Sequence, residues 1–119
     1  MRLRVLLLCA AVCLLAMTVA SAQDAVKVDP KHYKVETENA QVRVLRIHYA
    51  PHEKSVMHSH PDSVVVYLTD GTIKMTTPDG KSENMTAKKG GTQFTPAGTH
   101  LPENVGNTAF EAILVELKK

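Results

Sequence analysis

Residues 57–71 read MHSHPDSVVVYLTDG and hold the features that predict the fold. His58 and His60 are two residues apart, so on an extended backbone their imidazoles project to the same side and can share one metal ion. The apolar run over residues 64–68 consists of strand-forming types and predicts a strand buried on both faces. An Asp-Gly pair at the end of the stretch supplies a hairpin turn signal. The stretch therefore predicts a histidine pair attached to a buried strand.

The first 22 residues have the composition of a cleavable signal peptide. Two arginines precede an apolar block over residues 5–20, and the triplet Ala-Ser-Ala predicts cleavage after Ala22. An uncleaved membrane anchor and a lipoprotein modified at Cys13 are the two alternatives. Cleavage predicts a mature domain of residues 23–119 that is exported to the periplasm or secreted.

Removal of residues 1–22 changes the global composition. Both cysteines of the chain, Cys9 and Cys13, lie in this segment, so the mature domain would hold no thiol and no disulfide. Two of the 14 basic residues also lie there, which leaves 12 basic against 12 acidic residues and a net charge near zero. This balance predicts no nucleic-acid surface and no polybasic patch for a membrane. The remaining 97 residues are enough for one domain, whose small core would gain from dimerisation.

Turn signals recur about every ten residues along the mature chain, and short strands are predicted between them. The predicted strands span residues 33–38, 41–49, 64–68, 72–77, 81–87, 92–95, 100–105 and 110–117. Residues 23–31 form a polar lead, and no stretch shows a helical period with caps. This spacing predicts a single-domain, all-β sandwich or barrel.

A second informative stretch, residues 90–104, reads GGTQFTPAGTHLPEN. Together the two stretches resemble the two motifs of the cupin family. The first motif has a His-x-His pair, a glutamate and a glycine, and the second has a glycine, Pro-x-Gly, a histidine and an asparagine. The matching residues here are His58, His60 and Gly71, then Gly90, Pro96, Gly98, His100 and Asn104, with one residue fewer before His100. The resemblance covers most of the mature chain and implies a double-stranded β-helix, or jelly-roll barrel.

The resemblance also implies a metal site with His58, His60 and His100 as ligands. The first motif departs from the family in two ways, because its leading glycine is absent and its glutamate position holds Val64, or Val65 with the longer spacing. The implied cofactor is a divalent transition metal: zinc, iron, manganese, nickel or copper. Without a carboxylate, the site is expected to hold metal less tightly and to attract an anionic ligand more strongly.

Three classes of function fit such a site. The first is a metal-dependent enzyme that polarises an oxygen-bearing substrate or activates oxygen, as related cupins do. The second is a non-catalytic, metal-free barrel that binds or senses a small molecule. The third is a metal-handling protein, for which Met57 beside the histidine pair suits copper. Cupin barrels commonly pair, so the resemblance also implies a homodimer that uses residues 33–38 and an outer sheet face.

Other residues are candidates for supporting roles. His52 and Glu53, on the loop before the histidine pair, could supply a fourth ligand or a general base, or could simply be exposed. Tyr67, Gln93 and Phe94 could line a pocket, or could belong to the core or the surface. Asn104 is expected to be a structural hydrogen-bonding residue.

Overall fold

The computed structural model describes residues 23–119, which fold into short strands separated by turns. The elements in order are α1 (Ala25–Val28), β1 (Tyr33–Glu38), β2 (Val42–Tyr49), β3 (His58–His60), β4 (Ser63–Tyr67), β5 (Gly71–Thr76), β6 (Ser82–Ala87), β7 (Thr92–Thr95), β8 (Gly98–Asn104) and β9 (Phe110–Leu117). The predicted bounds of β1, β7 and β9 are confirmed, and the other predicted strands shift by one or two residues. The predicted signal peptide, residues 1–22, lies outside the described residues.

The strands form two antiparallel sheets with the core between them. One has the order β1-β2-β9-β4-β7 and the other the order β3-β8-β5-β6. The last strand, β9, therefore lies between β2 and β4 in the middle of the first sheet. This arrangement confirms the predicted all-β, single-domain barrel. Within residues 23–119, no helix has the length and apolar character needed to cross a membrane.

Alternation along the central strands explains how the core forms. In β9, Phe110, Ala112 and Leu114 are buried, and the residues between them are only half-buried. In β2, Leu45 and Ile47 are buried in the same alternating way. Burying a side chain of this size contributes about 1.5–3 kcal/mol, so the inner faces of these two strands provide much of the stability.

Two predictions for β4 are wrong. Every second residue along β4 is buried and the two between are half-buried, so the strand is not buried on both faces. The strands β4 and β5 also lie in different sheets, so the turn at residues 70–71 does not close a hairpin. The glycine there is required by packing, because a Cβ on Gly71 would lie 2.9 Å from a ring carbon of Phe110.

The polar lead contains a helical turn that was not predicted. Asp24 caps α1 by accepting a hydrogen bond from the Val26 amide at 3.3 Å, and Ala25 is fully buried. The Ser59 amide, between the two histidines of β3, donates to the Gln23 carbonyl oxygen at 2.8 Å. Because β3 is an edge strand, the lead covers its free edge and holds the histidine pair in place.

Candidate metal centre

The structure brings the three predicted histidines together. β3 pairs with β8 so that His58 lies directly opposite His100, and His60 lies two residues further along the same face. Their ring centroids are 4.8–5.3 Å apart. One ring nitrogen from each residue lies within 4.8 Å of the others, and these three form a group that could hold a metal ion.

Hydrogen bonds behind two of the rings orient their free nitrogens. The Nδ1 atom of His58 lies 2.7 Å from the Val56 carbonyl oxygen, and Nδ1 of His60 lies 2.7 Å from Oε2 of Glu116. A carbonyl oxygen only accepts, so in the neutral His58 ring Nδ1 carries the proton and Nε2 carries a lone pair.

Two of the imidazoles have an unsatisfied buried nitrogen. The Nε2 atoms of His58 and His100 are buried and have no hydrogen-bond partner among the described residues. Buried polar atoms rarely lack a partner, because removing such an atom from water costs free energy that only a new hydrogen bond or metal contact offsets. A metal ion held by these nitrogens would remove that cost, so the residues present fit the metal that the family resemblance implies.

Burial keeps His58 and His100 uncharged. It lowers the pKa of His58 to about 4 and the pKa of His100 to about 3, and the neighbouring imidazoles add to both effects. Imidazole must be unprotonated to bind a metal. Protons therefore do not compete for these two rings in mildly acidic solution.

We expect the metal-free protein to lose stability as the pH falls from about 6.5 to about 4. The unfolded chain protonates both histidines near their ordinary pKa of about 6.5, whereas the folded protein protonates His58 only at about 4 and His100 only at about 3. The unfolded state therefore binds up to two more protons in this window. The free energy of unfolding should fall by at most about 2.7 kcal/mol per pH unit, and above the window the two rings should add no slope.

Chemical denaturation at a series of pH values measures this slope. The control is the double variant His58→Ala/His100→Ala, which removes both groups and keeps every carboxylate. Its free energy of unfolding should change less steeply between about pH 6 and about pH 4. Equal slopes in the two proteins would show that the histidines are not held neutral.

The prediction that Val64 faces the histidines is wrong, and Val65 takes that place. Val65 is buried and lines the cavity beside the histidines, whereas Val64 points to the outer face of the sheet. The alternation of side chains along a strand does not extend from His60 to Val64, because residues 61–62 carry the chain from one sheet to the other. The longer of the two family spacings therefore applies.

His60 and His100 line a cavity of about 490 Å³ between the sheets. Most of the lining is apolar and comes from both sheets: Ile47, Val65, Ile73, Met75, Met85, Phe110, Ala112 and Leu114. Among the described residues, the lining contains one acidic residue, Glu83, and no lysine or arginine. Such a cavity suits a small, largely apolar molecule whose polar end meets the histidines.

The other candidates divide between the cavity and the surface. Tyr67 and Gln93 line the cavity, and the Tyr67 hydroxyl donates to Oε1 of Gln93 at 3.0 Å. Phe94 is 56% exposed on the outer face. Met57, the basis of the copper hypothesis, is not among the lining residues. Asn104 is buried and donates through Nδ2 to the Thr108 carbonyl oxygen at 2.9 Å, which confirms its structural role.

His52 and Glu53 do not join the histidine cluster. His52 is exposed, and its Nε2 atom lies 3.0 Å from Oδ1 of Asn107. Glu53 accepts from the Ala50 amide at 2.8 Å and pairs with Lys31. Neither residue lines the cavity, so neither is placed to act as a fourth ligand or as a base there.

Sequence reasoning missed Glu116, which lies directly behind His60. The residue as a whole is 2% exposed, and its carboxylate is held between His60 and Arg43. Burial by itself would raise the pKa of Glu116, but the hydrogen bonds from His60 and Arg43 lower it overall. The sequence did contain an indication of this role. Glu116 occupies the next buried position in the alternating pattern of β9, and a carboxylate is unusual at a buried position.

Comparison with known proteins identifies the family. Residues 45–116 match the family described as Cupin domain, so this chain belongs to the cupins. The Beta-alanine degradation protein BauB of Pseudomonas aeruginosa is 38% identical over 84 residues, which are 69% of this chain and 85% of that protein.

Solved structures agree with this assignment. The crystal structure of a cupin domain from Bordetella pertussis is 29% identical, with a TM-score of 0.69 over 73% of this chain and 92% of that one. A double-stranded β-helix protein from Klebsiella pneumoniae shares the fold, with 20% identity and a TM-score of 0.59 over 71% of this chain and 74% of that one. The predicted cupin resemblance is confirmed.

Proposed function

We propose that this cupin holds one divalent transition metal ion between His58, His60 and His100 and thereby binds or transforms a small anionic molecule. The observation that carries the proposal is the pair of buried Nε2 atoms, of His58 and His100, that have no hydrogen-bond partner within residues 23–119 and lie beside the third imidazole. Three histidines with an open position for a ligand are a known arrangement for zinc and suit other transition metals.

The residues around the cluster favour an anionic ligand. A bound ion would act as a Lewis acid toward a ligand oxygen. Imidazole binds a metal in its unprotonated form, so none of the three ligand residues would bring a negative charge to the ion. Val65 presents methyl groups where the family resemblance implies a carboxylate, so it does not compete with an incoming anion. Most of the cavity wall is apolar, which lowers the local dielectric constant and strengthens attraction between opposite charges.

The relative from Pseudomonas aeruginosa supports a small carboxylate as the ligand class. Its name assigns it to the degradation of β-alanine, a small amino acid that carries a carboxylate and an ammonium group at neutral pH. The cavity of about 490 Å³ has room for a molecule of that size or somewhat larger.

A cobalt-substituted protein tests the proposed function. Propionate and propionamide have nearly the same size and differ in charge, so they form a matched pair of probes. We expect propionate to change the visible cobalt spectrum at a concentration at least about tenfold lower than propionamide, a difference of about 1.4 kcal/mol. Equal responses would contradict the anion preference. Equal binding of propionate to metal-free protein would instead support direct hydrogen bonding by the histidines.

We further propose that the protein is exported and cleaved after Ala22. The support is the arrangement of residues 1–22, in which arginines, an apolar block and small residues follow in the order of a signal peptide. Intact-mass measurement of protein from the periplasm or medium should give a chain that starts at Gln23. A mass that retains Cys13, with or without a lipid, would contradict this proposal.

We also propose a homodimer that uses the outer face of the five-stranded sheet. Val44, Val115, Val64 and Phe94 lie side by side across four strands and form an apolar row on this face. Phe94 is 56% exposed in the single chain. Burial of such a row against a second copy would remove this apolar surface from water.

The variant Phe94→Glu should weaken the dimer by more than about tenfold, because burial of one phenylalanine is worth about 1.5–3 kcal/mol. Sedimentation velocity across a concentration series measures the effect. Val56→Glu is the matched control, since Val56 is 47% exposed but lies outside both sheets. A wild-type protein that stays monomeric at high micromolar concentration would contradict the proposal.

A further inference from the structure

A buried carboxylate, that of Glu116, is hydrogen-bonded to the Nδ1 atom of His60. Glu116 is at the end of the inner face of β9, and His60 is on β3 of the other sheet, 56 residues away in the chain. Both side chains are buried, with 3% of the Glu116 side chain and 6% of the His60 side chain exposed.

Each oxygen of Glu116 accepts a hydrogen bond from a different residue. Oε2 lies 2.7 Å from Nδ1 of His60, and Oε1 accepts from Nε of Arg43 at 2.6 Å. The other two nitrogens of Arg43 donate to the two carboxylate oxygens of Asp24, at 2.6 and 2.9 Å. Arg43 is thereby fixed between two carboxylates and cannot turn away from Glu116.

The Arg43 guanidinium is a permanent cation, and its hydrogen bond stabilises Glu116 in the ionised form, in which both oxygens only accept. The Arg43 guanidinium can only donate, so Oε1 must accept. The remaining oxygen can serve His60 only if Nδ1 of His60 carries the proton. In the neutral ring the lone pair of His60 is then on Nε2, the ring nitrogen that does not contact Glu116.

We propose that Glu116, held by Arg43, is the positioning residue that fixes His60 as the Nδ1-protonated tautomer with Nε2 free to bind a ligand. The expected effect on metal affinity rests on the proposed function, because it assumes that His60 binds a metal. The tautomer itself can be measured in the metal-free protein. Mutation of a residue that hydrogen-bonds to a metal-binding histidine typically lowers the metal affinity by about 10- to 100-fold.

Glutamine at this position would reverse the arrangement. An amide has one oxygen and one NH2 group, and the oxygen is needed by Arg43. The NH2 group would then face Nδ1 of His60 and favour the tautomer in which Nδ1 accepts and Nε2 carries the proton. A protonated Nε2 offers no lone pair, so the variant should bind metal more weakly although its size is unchanged.

The test compares wild type with Glu116→Gln and with the matched control Glu111→Gln, which alters the same strand on the opposite face. Long-range proton–nitrogen NMR of the metal-free proteins, at about pH 8 where ordinary histidines are neutral, identifies the tautomer of His60. Titration with zinc against a competing chelator gives the affinity. We expect Nδ1 to be protonated in wild type and in Glu111→Gln, and Nε2 in Glu116→Gln, with zinc affinity lowered about 10- to 100-fold in the last only.

Two results would overturn the proposal: an Nε2-protonated His60 in metal-free wild type, or an unchanged tautomer in folded Glu116→Gln. The first needs no variant, so the proposal can fail even if Glu116→Gln does not fold. If the tautomer changes as expected but wild type binds neither zinc nor any other divalent transition metal, Glu116 is still the positioning residue and the proposed metal function fails.

Discussion

Replacing His100 with alanine is expected to lower the affinity for a divalent transition metal by more than about 100-fold. Loss of a residue that only hydrogen-bonds to a metal ligand usually lowers the affinity by about 10- to 100-fold, and loss of a ligand itself should cost more. His100 is the most informative of the three histidines to remove. His58 bonds to the Val56 carbonyl oxygen and His60 to Glu116, so removing either also disturbs its surroundings. The buried Nε2 atom of His100 has no partner among the described residues. The fold should therefore survive the change.

Competition with a chromogenic chelator measures the affinity, and circular dichroism confirms that each variant is folded. His48→Ala is the control, because His48 is exposed on the outer face of β2. A His100→Ala variant that binds metal as tightly as wild type and His48→Ala would remove His100 from the proposed ligand set.

The substitution Val65→Glu is expected to slow the loss of bound metal by about 10- to 100-fold, or about 1.4–2.7 kcal/mol. Val65 lines the cavity, so a glutamate there would place a carboxylate beside the histidines. A unit charge about 4 Å from a cation is worth about 4 kcal/mol per cation charge at an effective dielectric of 20, and burial of the carboxylate offsets part of this attraction. Without metal the same variant should be less stable than wild type, because the new acid is buried without a charged partner.

Val64→Glu is the matched control for this experiment. It adds the same group one residue away, but on the outer face of the sheet. Metal retained per chain after dialysis against a weak chelator should match wild type for Val64→Glu and exceed it for Val65→Glu. Metal is counted per chain so that any effect of Val64→Glu on self-association does not enter the comparison. Equal retention in both variants would mean that Val65 does not face a metal site.

Local patterns in the sequence predicted most of the strands and the three histidines. The alternation in residues 110–117 depends only on neighbouring residues, and β9 spans those same residues. His58, His60 and His100 could be grouped because the family motifs align them, and the pairing of β3 with β8 brings them together. Periodicity within each strand would not have joined residues that lie 40 positions apart.

The features that were missed depend on how the two sheets pack. The change of sheet at residues 61–62 resets the alternation, so His60 and Val65 share the cavity although their separation in sequence is odd. A single turn such as α1 is too short to show a helical period. Glu116 gains its role only because His60, in the opposite sheet, meets it at 2.7 Å.

The metal content of the protein tests the central claim most directly. Protein purified without a histidine tag, loaded with zinc, iron, manganese, nickel or copper in turn and then desalted, is analysed by inductively coupled plasma mass spectrometry. The three-histidine site predicts one tightly held ion per chain for at least one of these metals, and loss of that ion in His100→Ala but not in His48→Ala. Folded wild-type protein that keeps no stoichiometric metal under any of these conditions would contradict the metal site.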